Sequence, residues 1–146
     1  MTPLPSLLDL IAPREAFDLL EDLQEADPGL AVTTEDLRHS LCLQHQTHAV
    51  YLPKKAQITP STHVDFQKVM ESVFLAVLRR SSELGFLREV HQNHFNRVFT
   101  VTFLHSFQEN QTSHDRVSEQ HASEMLATLK AHLRACQNAQ KDQKHE

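Results

Sequence analysis

Histidine is the residue type with the greatest chemical potential in this sequence, since eleven of its 146 residues are histidine. His45 with His48, and His91 with His94, have the i,i+3 spacing that places two rings on one face of a helix. A metal site needs about three converging ligands. The sequence has no HExxH motif, no cluster of cysteine with histidine, and no glutamate followed three residues later by histidine. We therefore predict no metal site and no cofactor, with the histidines at the surface or partly buried.

Cys42 is a second candidate for chemistry, because on a helix its thiol would share a face with His39 and with His45. A neighbouring imidazolium can stabilise a nucleophilic thiolate. However, the sequence contains no GxSxG motif, and its two glycines are too few for a phosphate-binding GxGxxG or P-loop motif. We therefore favour a small buried apolar thiol at Cys42, and we expect a protein that is not an enzyme.

Residues 34–52 resemble a helix-turn-helix motif, with Leu37, Leu41 and Leu43 at positions that the motif keeps apolar. Arg38 stands where the motif usually has a small residue, and Cys42 stands where it usually has glycine. The resemblance implies a DNA-binding regulator whose second helix enters the major groove. The residues that would then contact base edges or phosphates are Gln44, Gln46, His48, Lys54 and Lys55.

The charge distribution disfavours nucleic acid as the main partner. The formal net charge is −5, and the first 36 residues carry nine acidic side chains and one basic side chain. Neutralising phosphates requires clustered lysine and arginine, whereas the densest basic pairs are Lys54–Lys55 and Arg79–Arg80. We interpret the acidic segment as a solvated helix face, with docking on a basic surface as the alternative.

Four phenylalanines repeat at intervals of four residues, a spacing that would place their rings on one side of a helix. They are Phe95, Phe99, Phe103 and Phe107. An apolar helix face of this kind can bind another helix or a second copy of the chain. We predict that Phe95, Phe99 and Phe103 contact a partner, with Arg97 at the rim of the contact.

Residues 97–104 also fit a strand, because Phe99, Val101 and Phe103 alternate with threonines. A lone strand would need a pairing partner, for which residues 49–52 are the other candidate. We therefore favour the helix.

Hydrophobic periodicity and end signals predict helices along most of the chain. The predicted helices run from Pro13 to about Ala26, from Thr33 to about Tyr51, from Thr62 to Gly85, from Leu87 to Phe107 and from Ala122 to Cys136. The expected fold is all-α: one domain over residues 1–139, with four to five helices in an antiparallel bundle, followed by a disordered polar tail at residues 140–146.

Neither export nor membrane insertion is predicted. No basic region precedes the N-terminal apolar stretch, and the longest purely apolar run, Val73–Leu78, is far below the ~20 residues needed to span a bilayer. With two cysteines and no CxxC motif, we expect free thiols and an intracellular location, cytoplasmic or nuclear.

The leading hypothesis is a non-enzymatic helical adaptor or assembly module that binds another protein or itself. The alternatives are the DNA-binding regulator and, third, a histidine-ligated metal protein.

Overall fold

The protein is mixed α/β. The computed structural model describes residues 6–105 and 116–144, and within them the chain forms four α-helices, one short 3-10 helix and six strands. The prediction of an all-α helical bundle is wrong, because two stretches expected to be helical form antiparallel sheets. The helices are α1 (Leu7–Leu10), α2 (Pro13–Ala26), α3 (Pro60–Glu83) and α4 (Glu124–Lys144), and the 3-10 helix is Pro28–Leu30. The strands are β1 (Val32–Asp36), β2 (Ser40–His45), β3 (His48–Pro53), β4 (Phe86–Asn93), β5 (Val98–His105) and β6 (Arg116–His121).

The chain divides into two compact units, Met1–Val73 and Phe74–Glu146. Each unit contains one three-stranded antiparallel sheet, with the order β1-β2-β3 in the first and β4-β5-β6 in the second. Helix α3 begins in the first unit and ends in the second. Helix α4 continues to Lys144, into the segment that we expected to be a polar tail.

In the first unit, alternation along the strands separates a buried sheet face from an exposed one. Leu41 and Leu43 of β2 lie opposite Leu52 and Val50 of β3, and all four are buried. The exposed face carries side chains such as Tyr51. Helix α2 contacts β1 and β2, and its buried side chains are Ala16, Phe17, Leu19, Leu20 and Leu23.

In the second unit, α4 packs against β5 and β6, and Phe103 of β5 lies at the centre of the contact. Its ring meets the rings of Phe86 and His132 edge-on, each with centroids 6.1 Å away. The buried cluster around Phe103 contains Val101, Ala127 and Ala131. The two alanines lie one turn apart on α4, and their small side chains leave room for the aromatic ring.

Three of the predicted helices are confirmed, because their ends are encoded locally. Helix α2 begins at Pro13, whose missing N–H has no partner in a first helical turn. Helix α3 ends just before Gly85, which has the left-handed φ of 84°. Helix α4 covers most of the predicted range from Ala122 to Cys136. Over the described ranges, no helix combines the length and the apolar character needed to cross a membrane.

The helix predicted between Thr33 and Tyr51 is wrong, and so is the helix-turn-helix motif within it, because the segment forms β1, β2 and β3. The turn between β2 and β3 contains only Gln46 and Thr47, with His45 opposite His48. Gln46 has a φ of 56°, a conformation that glycine or asparagine usually provides in such hairpins. The sequence therefore lacks the usual hairpin signal at this position.

The helix predicted between Leu87 and Phe107 is also wrong, because β4 and β5 form an antiparallel hairpin there. An interval of four residues fits the 3.6-residue helical period, but as an even number it equally keeps side chains on one face of a strand. The alternative strand at residues 97–104 matches β5, although its partners are β4 and β6 rather than residues 49–52. Phe107 lies outside the described residues.

Truncating the central ring of the second unit tests this packing. Phe103 is 1% exposed whereas Phe95 is fully exposed, so the two offer a matched pair of phenylalanine substitutions. We expect Phe103→Ala to lower the free energy of unfolding by about 3–5 kcal/mol, through lost burial and an unfilled cavity. Phe95→Ala should change it by less than about 0.5 kcal/mol. Denaturant unfolding of both variants measures the difference, and similar losses would contradict the placement of Phe103.

Candidate interaction site

Strand β4 forms an exposed edge of the second sheet. In the described residues, β4 pairs with β5 alone, so one side of its backbone has no neighbouring strand. Six of its eight side chains are exposed, among them Leu87 at 56% and Val90 at 39%. A long edge strand with exposed apolar side chains is a template for pairing with another chain. This strand and the turn that follows it are the candidate interaction site.

Contacts with the unit's own core hold the beginning of β4 in place. Phe86 packs against the cluster around Phe103. Two residues later, the Arg88 guanidinium donates a hydrogen bond to Glu124 at 2.6 Å and others to the Thr128 hydroxyl at 3.2 and 3.3 Å. It also lies 5.6 Å from the centre of the Phe74 ring. Because Arg88 is fixed to α4, the exposed residues after it are displayed on a rigid strand.

The turn between β4 and β5 is closed by two asparagines. The Asn93 side-chain carbonyl accepts a hydrogen bond from the Phe95 N–H at 2.9 Å, and the Asn96 side-chain carbonyl accepts one from the Val98 N–H at 3.1 Å. The Arg97 N–H donates to the Asn93 carbonyl at 2.8 Å, with a φ of 56° at Arg97. These bonds hold the turn so that the Phe95 ring projects fully into solvent.

The predicted partner-binding residues fall in different environments. Phe95 and Arg97 are exposed in the same turn, Phe99 is partly buried on β5, and Phe103 is buried in the core. The structure therefore does not bring the phenylalanines together on a helix face, because they lie on a turn and on a strand. Leu87 and Val90 of β4 were missed, since their three-residue spacing gives no strand pattern.

The residues predicted to contact nucleic acid lie at opposite ends of the first sheet. Gln44, Gln46 and His48 are at the turn between β2 and β3. Lys54 and Lys55 follow the far end of β3, where Pro53 lies opposite Ser40. A six-residue strand is roughly 20 Å long, so base-reading and phosphate-contacting groups do not form one surface.

His45 is a buried residue in the first unit with both ring nitrogens engaged. Its Nε2 donates to the Leu30 carbonyl at 2.9 Å, and its Nδ1 lies 2.6 Å from the Ser72 hydroxyl. Because a carbonyl only accepts hydrogen bonds, the proton lies on Nε2 and the serine donates to Nδ1. Burial lowers the pKa of His45, against the opposing effect of the bond to Leu30, and the nearby His48 lowers it further. The ring is therefore held in its neutral form.

The Ser72–His45 pair has the spacing of a nucleophile and its base, but its setting lacks the rest of a catalytic site. Ser72 lies in the middle of α3, where backbone N–H groups bond to carbonyls four residues back and cannot stabilise an oxyanion. Cys42 lies an odd number of residues from His45 on β2, so their side chains point to opposite faces of the sheet. The alternative of a thiol–imidazole pair between Cys42 and His45 is therefore not assembled, and Cys42 is buried, as we favoured.

A second buried histidine is bonded to a serine of α3 in the second unit. His132 Nδ1 lies 2.9 Å from the Ser81 hydroxyl, and its Nε2 lies 3.5 Å from the Cys136 sulfur. Cys136 is buried. Among the other predicted pairs, His91 and His94 are both exposed, on β4 and in the turn after it.

Comparisons of this chain with protein-family models, with curated proteins and with solved structures give no match. The functional proposals below therefore depend on the geometry of the chain's own residues.

The buried neutral His45 makes stability depend on pH. Its pKa is lower in the folded chain than in the unfolded chain, where it is about 6.5. The unfolded chain therefore binds the proton more readily, and stability is lost as pH falls from about 6.5 through the lowered pKa. We expect His45→Gln to reduce the pH slope of the free energy of unfolding there by up to about 1.4 kcal/mol per pH unit. Urea unfolding at several pH values measures the slope.

The exposed His94 provides the control for this measurement. His94→Gln removes an exposed ring from the turn after β4, and it should leave the pH slope unchanged. An unchanged slope in His45→Gln would show that His45 is protonated equally in the folded and unfolded chain.

Proposed function

We propose that this chain is a non-enzymatic protein-interaction module that assembles with a second copy of itself through the edge of β4. The observation that carries the proposal is an eight-residue edge strand with exposed Leu87 and Val90 on a rigid support. Pairing of two β4 strands would satisfy the outward-facing backbone groups and join two three-stranded sheets into one.

The order of charges along β4 favours one antiparallel register. In a symmetric pair of sheets, the residue on the two-fold axis faces its own copy. Pairing centred on Arg88 or on Glu89 would place like charges directly opposite each other, which is destabilising. Pairing centred on Val90 instead places two valines together and Glu89 opposite His91 of the second copy. The Val90-centred register is therefore the one that we propose.

This register also covers the exposed aromatic ring in the turn. Phe95 follows the end of β4 by two residues, and an antiparallel partner would bring the start of its own β4 to that end. Leu84, which precedes that strand, is also exposed. Contact between Phe95 and Leu84 of the second copy would add apolar burial at both ends of the interface. Phe95 thus keeps the partner-binding role predicted for it, on a turn rather than on a helix.

Several features support an interaction role over catalysis. Cys42 and Cys136 are both buried thiols, which also suits the reducing intracellular location that we propose. The hydrogen bonds of His45 go to Leu30 and Ser72, inside the fold. Leu87, Val90 and Phe95 are exposed apolar side chains on β4 and its turn, and such side chains can contact a partner.

A charge placed at the proposed two-fold axis should separate the copies. We expect the unmodified chain to have twice the monomer mass in light scattering. Val90→Lys should raise the dissociation constant of the dimer at least about tenfold, because two lysines would face each other. Tyr51→Lys is the matched control, since Tyr51 is 61% exposed on β3, an edge of the other sheet. It should leave the dimer intact.

A cysteine at the same position tests the register directly. Opposed residues of an antiparallel pair have Cα atoms about 4.5–5.5 Å apart, which is within disulfide range. Val90→Cys should therefore form a covalent dimer on mild oxidation, whereas Val64→Cys, exposed on α3, should not. A monomeric unmodified chain, or equal cross-linking of both variants, would contradict self-pairing. A monomer would point to an extended segment of another protein as the occupant of the edge.

A further inference from the structure

A concave pocket rich in basic side chains lies at one end of the first sheet. Its volume is about 400 Å³, and its lining residues are Arg38, His39, Lys54, Lys55 and Ala56. The first two belong to the turn between β1 and β2, and the lysines directly follow β3. Among the described residues, no carboxylate is part of the lining. In a chain with a formal net charge of −5, one arginine and two lysines thus lie around one concavity.

Backbone hydrogen bonds fix the two walls of the pocket relative to each other. The Leu37 N–H donates to the Ser40 carbonyl at 2.9 Å and closes the turn between β1 and β2. The Lys54 N–H donates to the His39 carbonyl at 3.0 Å and ties the segment after β3 to that turn. The backbone that carries the lining side chains is therefore ordered before any ligand arrives, which lowers the entropic cost of binding.

The charges in the pocket are only partly compensated. The Lys54 ammonium bonds to the Asp36 carboxylate, which also accepts a 3.0 Å bond from Arg14. These hydrogen bonds, from Lys54 first and from Arg14 second, lower the pKa of Asp36 and keep it ionised. In residues 6–105 and 116–144, no carboxylate forms an ion pair with Arg38 or with Lys55. Their charges are available to a ligand.

We propose that this pocket binds the phosphate group of a small organic phosphate. The planar Arg38 guanidinium can donate two parallel hydrogen bonds to phosphate oxygens, and the lysine ammonium groups neutralise the remaining charge. A cavity of about 400 Å³ falls in the usual range for small-molecule sites, roughly 300–1,000 Å³. The ligand therefore includes more than a bare phosphate. This site is separate from β4 and does not depend on self-assembly.

Calorimetric titration of the full chain with inorganic pyrophosphate, at low salt, tests the proposal. We expect saturable binding of one pyrophosphate per chain. The double variant Arg38→Gln with Lys55→Gln should bind at least about tenfold more weakly, because two charged hydrogen-bond donors are lost. The matched control, Lys68→Gln with Arg79→Gln, removes the same charge from exposed positions of α3. Its affinity should stay within about twofold of the unmodified chain.

Vesicles of phosphatidylcholine containing phosphatidic acid form the second arm, because a lipid headgroup carries the same phosphate chemistry. Binding of pyrophosphate with amide chemical-shift changes at residues 38–40 and 54–56 supports a soluble ligand. Binding to vesicles without binding of pyrophosphate overturns the proposal of a soluble ligand and assigns the pocket to a lipid headgroup. Equal weakening in both double variants, with circular dichroism showing that both are folded, overturns the site itself. The site is also overturned when neither pyrophosphate nor the vesicles bind at any concentration.

Discussion

A three-stranded sheet is stable in water only when another element covers its apolar face. In the second unit, helix α4 provides this cover, and the Phe103 ring fills the space between β5 and the two small alanines of α4. This contact buries one face of β5, the central strand of the sheet. Strand β4, held by Phe86 and Arg88 at its beginning, lies at the edge.

Both proposed sites lie where the backbone is fixed but the side chains face solvent. The β4 edge is supported by the salt bridge from Arg88 to α4, and the basic pocket is supported by backbone bonds between a turn and the end of β3.

The buried histidines have a structural role. His45 and His132 each bond to a serine of α3, so that buried polar groups are satisfied within the units rather than left for chemistry.

The sequence predicts the helices of this protein well and its sheets poorly. Pro13 and Gly85 encode helix ends through their backbone preferences. The sheets were missed because their turns carry Gln46 and Arg97 where glycine or asparagine would have been recognisable. The four-residue phenylalanine spacing added to the error, because it fits both the helical period and the alternation of a strand.

The basic pocket could be predicted only in part. Lys54 and Lys55 were singled out, but Arg38 lies beside them through strand pairing that the sequence does not reveal.

In the part of the chain that the structure describes, three residues other than glycine have a left-handed φ of 56°, namely Ala31, Gln46 and Arg97. Such a conformation costs each of them about 1 kcal/mol relative to glycine. The turns at Gln46 and Arg97 therefore do not stabilise the two hairpins by themselves. Strand pairing stabilises the hairpins and fixes the backbone conformation of these turns. Glycine at Ala31 or Gln46, which lie outside β4 and its turn and outside the residues that line the basic pocket, would consequently be a route to thermostabilisation.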